Sequence, residues 1–501
     1  MSSPRLVLCK LTLNPISPVV NLCFVGIECA CVREATNRLT RVLTFMGTLM
    51  LKDQHGLTIS TSSKEAAVGF DRTVNAYLKY RTDASQHLAG TLAADPAFGL
   101  AHCLAGYFAM LSYTLSKLPV ATEAARTARA MTMEATARER AHVEGLDAWI
   151  AGDIDRSLTI WDDIVTEHPM DVLAFRLAHF NNFWLGRPEA MRASVERVLP
   201  KWSRDMPGYG TVLSCRCFAN EECGNYAVAE PSGWAALQID PADFWGIHGV
   251  AHVMEMQGRR REGIDLLEKH ERYFAGGNNL IHHLWWHRAL FHLEQREFDA
   301  VLDLYDRRFR NLASSLSQAL PDLYIDVQNA ASMLFRLERQ GIDVGDRWIE
   351  IADKAEQRIG DCLSAFTQPH WMMALAATRR DDAARRMLDA MRVFGLGTGA
   401  VAQIVETIAL PVTEAVLAHR RGEYARAVDL MKPILDRMSQ LGGSYAQRDV
   451  LEQVFLDSAV KVNRDDDVRL MLARVAAEYP TPPERRIGYA QAAMHFGTMT
   501  H

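Results

Sequence analysis

Residues 224–263 read GNYAVAEPSGWAALQIDPADFWGIHGVAHVMEMQGRRREG and contain one turn signature twice. Gly224 and Gly258 are 34 residues apart, and a small residue, Ala229 or Gly263, stands five positions after each. Glycine supplies the backbone freedom that a chain needs where one helix stops and the next starts. The small residue lets the two helices approach closely. The stretch therefore predicts helical hairpins that repeat about every 34 residues.

The signature recurs along the chain with the same offset of five. The further copies are Gly152 with Ser157, Gly422 with Ala427 and, without the glycine, Arg296 with Val301. In two of the repeats a proline stands 17 residues after the glycine, at Pro169 and Pro241. Proline closes the second helix there because it cannot continue the hydrogen-bond ladder. Gly258 and Arg296 are 38 residues apart, so we expect an irregular array.

Apolar residues inside the units follow a helical period. Leu173, Leu177, Phe180 and Trp184 are separated by four, three and four positions, which places them on one face of a helix. No alternation typical of strands appears after residue 60, and residues 311–410 are helical by composition although they lack the glycine signature. We predict an all-α fold, a tetratricopeptide-like α-solenoid of stacked antiparallel helix hairpins in a right-handed superhelix.

The predicted array spans residues 56–480. We interpret residues 1–55 as an atypical N-terminal extension, either disordered or not native, because its apolar stretch is too broken for a secretory signal or a bilayer span. Three prolines at 480–483 mark the predicted end of regular structure. Residues 481–501 are therefore expected to form a C-terminal tail.

Composition and charge narrow the classes of function. The chain has 501 residues, is 49% hydrophobic and 23% charged, and carries a net charge of −6, so we expect no nucleic-acid partner. Its nine cysteines show no zinc-like spacing, and their odd count and scatter suit a reducing, cytoplasmic location. We expect a protein, peptide or small-molecule partner and no membrane partner, and we leave a homo-oligomer open.

The densest group of functional residue types lies at 245–294. Two pairs of histidines are one helical turn apart in this region, His248 with His252 and His283 with His287. Counted from the turn residues, the first pair, His283 and Trp286 fall on places that line the concave groove of such an array, whereas His287 turns toward a neighbouring helix. The predicted ligand-binding residues are His248, His252, Glu255, His283, Trp286, His287 and His370.

Two interpretations of these histidines stay open. Imidazoles beside a tryptophan wall are typical of metal ligands or proton carriers, with His248, His252 and His283 as the metal candidates. There is, however, no H-E-x-x-H motif. Buried histidines also form hydrogen bonds between helices, and tryptophans fill the gaps between stacked hairpins. We favour the structural and ligand-binding interpretation, expect no metal and no cofactor, and assign no catalytic residue.

Several stretches between about residues 60 and 480 have a distinctive combination of residues. They are Ala251-His252-Val-Met-Glu-Met-Gln-Gly258-Arg259, His283-Leu-Trp-Trp-His287, Phe291-His292-Leu-Glu294, Pro207-Gly-Tyr209-Gly and Gly442-Gly443-Ser444. Together they resemble the family of tetratricopeptide repeat protein 38 and its bacterial relatives. The resemblance implies an α-solenoid of about a dozen helices or more and implies no particular chemistry. Tyr445 stands where the family usually has His, and Asn329 stands where it usually has Asp.

Two functions follow from these features. The first is a binding module that holds a protein, peptide or other ligand in a concave groove lined by His and Trp. The alternative is an enzyme, such as a metal-dependent hydrolase or lyase, with a small-molecule pocket lined by His248, His252, His283 and Trp286. We favour the binding module because it is the fold's common use, and the enzymatic question stays open.

Overall fold

A computed structural model of the chain describes residues 50–496, and these residues fold almost entirely into helices. The exception is a short hairpin in which β1 (Leu51–Lys52) pairs antiparallel with β2 (Thr58–Ile59). The α-helices are α1 (Lys64–Leu78), α2 (Ala84–Ala94), α3 (Gly99–Met110), α4 (Leu118–Met131), α5 (Ala137–Ile150), α6 (Ile154–Glu167), α7 (Val172–Trp184), α8 (Pro188–Val198), α9 (Tyr209–Glu222), α10 (Tyr226–Ile239), α11 (Phe244–Met256), α12 (Arg260–His270), α13 (Leu280–Glu294), α14 (Phe298–Leu304), α15 (Ser315–Ala319), α16 (Tyr324–Arg339), α17 (Arg347–Gln357), α18 (Thr367–Ala377), α19 (Asp381–Gly395), α20 (Ala400–Ile404), α21 (Leu410–Arg420), α22 (Tyr424–Met431), α23 (Tyr445–Lys461), α24 (Asp465–Glu478) and α25 (Ala490–Phe496).

From α5 onward, a left-handed residue follows the first helix of each hairpin, and these residues are 34 to 45 positions apart. They are Gly152, Gly186, Gly224, Gly258, Arg296, Gly341, Arg379, Gly422 and Asn463. The turns predicted at four of the glycines and at Arg296 are confirmed. Three of these turns lack glycine, because Arg296, Arg379 and Asn463 adopt φ of 60°, 54° and 56°. Within 311–410, one turn is made by Arg379, and the other is at Gly341 with Asp346 rather than a small residue five positions later, so the sequence signature is missing there.

The two helices of a hairpin are buried to different extents, and this difference defines the layers. Nearly every residue of α11, α13, α16 and α23 is buried, whereas α12 and α17 bury a single face. The first group forms an inner layer that is covered on all sides, and α23 contacts both α11 and α16 across the interior. The fold is thus the predicted all-α, tetratricopeptide-like solenoid.

The array closes on itself through glycines at which two backbones touch. A Cβ atom on Gly186, just after α7, would collide with the carbonyl oxygen of Ser439, and one on Gly442 would collide with the carbonyl of Trp184. A Cβ on Gly399 would lie 2.7 Å from the carbonyl oxygen of Gly152. Hairpins from the first third of the described chain therefore pack directly against segments from its last third. This closure encloses the inner helices.

The N-terminal boundary predicted at residue 55 is wrong within the described residues. Leu51 pairs with Ile59 in the β-hairpin, and the Asp53 carboxylate accepts hydrogen bonds from the backbone amides of His55 and Leu57, each at 2.9 Å. His55 Nε2 also donates to the carbonyl of Pro207 at 3.0 Å. Residues 50–55 therefore belong to the fold, whereas the rest of the predicted extension, residues 1–49, lies outside the described residues.

The C-terminal tail predicted for residues 481–501 is also wrong as far as residue 496. Thr481 donates its hydroxyl to the carbonyl of Met256 at 3.0 Å, and Tyr489 donates its hydroxyl to the Asp449 carboxylate at 2.8 Å. The prolines end α24 but do not end the packed structure, because the segment that follows finds polar partners on the inner helices. We call residues 480–496 the C-terminal segment; residues 497–501 lie outside the described residues.

One helical stretch of the described chain, Ala400–Arg420, is long and apolar enough to cross a membrane. More than half of its apolar window, 56%, is buried inside the protein, where α21 packs against α18 and α22. Burial in the core accounts for its composition.

Candidate metal centre

Four histidines of two neighbouring inner helices meet in the interior. His248 and His252 lie one turn apart on α11, and His283 and His287 lie one turn apart on α13. The ring centroids are 4.4 Å apart within the first pair, 4.6 Å within the second, and 4.5 Å between His252 and His287. One nitrogen of each ring can be chosen so that all four lie within 4.8 Å of one another. We call these four residues the histidine tetrad.

Local sequence explains why α11 can present its histidines at this point. The Asp243 side chain caps the helix by accepting from the Gly246 amide at 3.0 Å. Gly249, between the two histidines, lets α11 approach α9, because a Cβ there would lie 2.7 Å from the sulfur of Cys217. The spacing of four residues then directs both imidazoles toward α13.

Hydrogen bonds orient two of the rings through their Nδ1 atoms. His283 Nδ1 donates to the amide oxygen of Asn329 on α16 at 2.8 Å, and His287 Nδ1 donates to the Glu255 carboxylate at 2.8 Å. Each ring is left with Nε2 as the nitrogen that is available to a ligand. The Nε2 atom of His287 has no hydrogen-bond partner among residues 50–496. The Nε2 atoms of His248 and His252 are 3.0 Å apart.

Burial keeps the tetrad uncharged. Each of the four side chains is at most 2% exposed. Burial, reinforced by the neighbouring rings, holds the pKa of His248, His252 and His283 well below the ordinary value, and burial lowers the pKa of His287 to about 3. All four imidazoles are therefore neutral at pH 7, which is the form that binds metal ions.

Two buried carboxyl groups, Glu221 and Glu222, and one partly buried carboxyl group, Glu255, surround the tetrad. Glu255 contacts His287, and the Oε2 atom of Glu221 on α9 lies 3.6 Å from Nδ1 of His252. Neither oxygen of Glu221 has a hydrogen-bond partner in the described part of the chain. Glu221, Glu222 and His252 form a second group whose ligand atoms lie within 4.8 Å of one another. Burial raises the pKa of Glu222 to about 7 and that of Glu255 to about 8.

The other predicted site residues have different surroundings. The ring of Trp286 stacks on His283 with centroids 4.9 Å apart, and its Nε1 donates to the Ser332 hydroxyl at 3.2 Å. His370 donates from Nδ1 to the carbonyl of Phe366 at 2.9 Å. His370 is therefore placed as a core histidine, outside the tetrad.

The residues predicted to line a concave groove are not exposed in the structure. The tetrad and Trp286, which is 1% exposed, are buried, because the closed array and the C-terminal segment cover the inner helices. His287, which the repeat count turned away from the groove, completes the tetrad. Sequence reasoning missed Glu221 and Glu222 altogether. Their signal is a pair of adjacent acids at the end of α9, just before the turn at Gly224.

Comparisons with known proteins find only low similarity. No protein-family profile matches the chain. Among solved structures it is similar to the human IFIT1 dimer with m7Gppp-AAAA, at 12% identity and a TM-score of 0.41, covering 89% of this chain and 97% of that chain. It is also similar to a chain of the structure of Naa15/Naa10 bound to HypK-THB, at 10% identity and a TM-score of 0.21, covering 86% of this chain and 66% of that chain. At these values neither likeness bears on what this protein binds.

Proposed function

We propose that this protein is a metal-binding helical-repeat protein whose histidine tetrad holds one divalent transition-metal ion, with zinc as the best match. The observation that carries the proposal is the convergence of four buried, neutral imidazoles on one point. A buried polar nitrogen without a partner costs about 1–3 kcal/mol. Nε2 of His287 is such a nitrogen, and a metal ion would give it a partner and replace the hydrogen bond between Nε2 of His248 and Nε2 of His252.

The donor set and its spacing fit such an ion. Imidazole nitrogen suits zinc, copper, iron and nickel. A tetrahedral zinc with ligands at about 2.0–2.1 Å places those ligands roughly 3.4 Å from one another. The 3.0 Å separation between Nε2 of His248 and Nε2 of His252 is close to that spacing.

The surroundings of the tetrad support the same proposal. Metal-bound histidines usually donate their second nitrogen to a carboxylate or carbonyl oxygen, as His287 does to Glu255 and His283 does to Asn329. A divalent cation in a buried site also needs negative charge nearby. Burial raises the pKa of Glu221, Glu222 and Glu255 in the metal-free chain, so they could supply this charge by releasing their protons when the cation binds.

This proposal has different consequences for the two functions considered from sequence, the binding module and the metal-dependent enzyme. A peptide held on the His and Trp residues would need them exposed, so a protein or peptide partner has to use other residues. Four protein ligands complete the tetrahedral shell of zinc, as in structural zinc sites. The alternative of a metal-dependent hydrolase or lyase therefore requires an ion that accepts five or six ligands, such as iron(II), with an open position beside the imidazoles.

The tetrad residues also support a proposal about the family of this chain. We infer membership of the tetratricopeptide repeat protein 38 family, because two of the motifs that carry the resemblance, Ala251–Arg259 and His283–His287, supply three of the tetrad residues and Glu255. The family's usual Asp is Asn329 here, and this side chain contacts His283. If the family's Asp acts as a further metal ligand or as a base, this chain lacks that group.

Metal analysis of the purified protein tests the proposal. We expect about one zinc, iron or other transition-metal ion per chain, measured by inductively coupled plasma mass spectrometry after gel filtration. The His248→Ala/His252→Ala double variant should lose it. The matched control is His87→Ala/His102→Ala, which removes two imidazoles near the surface and should keep the metal. A protein that is purified metal-free and takes up no zinc, iron, nickel or copper on dialysis contradicts the proposal.

A further inference from the structure

Arg176 on α7 carries a buried charge without a carboxylate partner. Its side chain is 2% exposed, and it forms no ion pair with any Asp or Glu of residues 50–496. Its Nη1 atom donates to the sulfur of Cys215 at 3.3 Å, and its Nη2 atom donates to the hydroxyl of Tyr80. The guanidinium carbon lies 4.4 Å from the ring centroid of Trp245. An unpaired charge in such surroundings is strongly unfavourable.

Neither partner supplies the missing negative charge. Burial raises the pKa of the Cys215 thiol to about 11 and raises that of the Tyr80 phenol further, although Arg176 pulls both down. Arg176 lowers the pKa of the Asp243 carboxyl electrostatically, without forming an ion pair with it. That carboxyl is engaged as the cap of α11.

Unpartnered polar atoms surround the same tryptophan. Both ring nitrogens of His179, Nε1 of Trp245 and Nδ1 of His248 are buried and have no hydrogen-bond partner in the described chain. His179 lies three residues after Arg176 on α7 and is fully buried. The Trp245 ring centroid is 6.2 Å from that of His179 and 4.7 Å from that of His248. Potential donors thus lie on several sides of one indole ring.

We propose that Arg176, His179 and Trp245 form a binding site for the carboxylate group of a small organic monoacid. Guanidinium has five N–H donors in a planar fork that matches a carboxylate. Two of them are engaged with Tyr80 and Cys215, so three stay available. The indole N–H and one imidazole N–H can supply the remaining hydrogen bonds to the carboxylate oxygens.

Charge matching and the walls of the site define the ligand class. Burial, together with Arg176, holds the pKa of His179 well below its ordinary value, so the site has one positive charge and suits a monoanion better than a phosphate dianion. The rings of Tyr80, Phe180 and Trp245 pack around the guanidinium, which favours an acid with an apolar or aromatic body. Tyr80 and Phe180 are the partly exposed members of this group, and the Tyr80 hydroxyl occupies a guanidinium donor, so the ligand would reach Arg176 by displacing that hydroxyl.

This site is independent of the metal proposal, although it adjoins the tetrad. Trp245 contacts both Arg176 and His248, so an acid bound here would lie one indole ring from the proposed metal. The site stands even if the tetrad binds no metal, because Arg176, His179 and Trp245 are not members of the tetrad.

The test is a thermal-unfolding titration with sodium benzoate and sodium acetate, against sodium chloride at matched ionic strength. Ligands that bind only the folded state raise Tm in a saturable manner, and we expect a rise of about 2 °C or more with benzoate. The same rise should occur in the presence of EDTA, which separates this site from coordination of benzoate to a metal.

Substitution of Arg176 provides a second test of the carboxylate site. Arg176→Met removes the charge and fits aromatic surroundings, so we expect a folded protein with unchanged or higher Tm and no response to benzoate. Arg176→Lys should keep part of the response. The proposal is overturned if chloride stabilises the wild-type chain as much as benzoate does, if phosphate at equal ionic strength exceeds both carboxylates, or if Arg176→Met responds like wild type.

Discussion

Nδ1 of His283 donates a 2.8 Å hydrogen bond to the side-chain oxygen of Asn329, so a neutral amide orients one ring of the tetrad. The other oriented ring, His287, has a carboxyl partner instead. An amide fixes the direction of the ring as a carboxylate does, but it adds no negative charge to the site. Asn329 is therefore the position at which the affinity of the proposed metal site is easiest to change.

Asn329→Asp should raise metal affinity. The carboxylate would keep the hydrogen bond to His283, make that imidazole a stronger ligand and add one negative charge. We expect about 10-fold tighter zinc binding, at the lower end of the range known for such partners. Competition with a chromogenic chelator measures the change. Equal affinities for the variant and wild type would show that Asn329 does not act on a bound metal.

Glu255→Gln should have the opposite effect. Glutamine can still accept from Nδ1 of His287, but unlike Glu255 it cannot release a proton and become negative when the cation binds, so we expect about 10-fold weaker zinc binding. Glu262→Gln is the matched control, because Glu262 is an exposed residue of α12 that pairs with Arg259. If both variants lose affinity to the same degree, general surface charge rather than the Glu255 contact controls binding.

Gly186→Ala should disrupt the backbone contact that closes the array. Gly186 has φ of 63° and touches the backbone at Ser439, so alanine adds a collision to the strain of a left-handed conformation. Gly422→Ala is the control, since Gly422 has φ of 78° and open space around it. We expect the control to lose about 1–2 kcal/mol from the strain alone and Gly186→Ala to lose clearly more. Urea unfolding at pH 7 measures both losses of unfolding free energy. Equal losses would argue against the backbone contact between Gly186 and Ser439.

Asp449 should make the C-terminal segment sensitive to acid. Burial by itself raises the pKa of Asp449, but the guanidinium groups of Arg486 and Arg336 hold it below the ordinary value. The folded chain therefore keeps this carboxylate ionised at a lower pH than the unfolded chain does. Its contribution to stability is present above about pH 4 and is lost as the pH falls below that value.

Asp449→Asn isolates this contribution. We expect the variant to lose about 3–5 kcal/mol at pH 7, because two buried arginines lose their partner, and to show a weaker fall in unfolding free energy between pH 5 and pH 3 than wild type. Denaturant titrations across that range provide the comparison. Parallel pH profiles for the two proteins would contradict the assignment.

The local turns and periodicities of this chain could be predicted from sequence, because they depend on residues close together. The spacing of Gly224 and Gly258 gave the repeat, and the offset at Arg296 located a turn without glycine. Arg379 and Asn463 make the same turn but were not found, because left-handed conformations are uncommon for residues other than glycine. The segment after residue 480 was misjudged because its anchors, such as Met256, are distant in sequence.

The histidine pairs could likewise be predicted, but their assembly could not. A spacing of four residues identifies His248 with His252 and His283 with His287, whereas the contact between the pairs depends on how α11 packs against α13. A count back from the turn at Arg296 turned His287 toward a neighbouring helix, but it could not show that this neighbour is α11 with His248 and His252. Asn329 and Glu221 join the site only through tertiary packing.

X-ray absorption spectroscopy of the zinc-loaded protein tests the central claim most directly. We expect four nitrogen ligands at about 2.0–2.1 Å from zinc, with the multiple-scattering features of imidazole, and their loss in the His248→Ala/His252→Ala variant. A spectrum with sulfur at about 2.3 Å, or a spectrum that is unchanged in the double variant, would place the metal elsewhere and contradict the account.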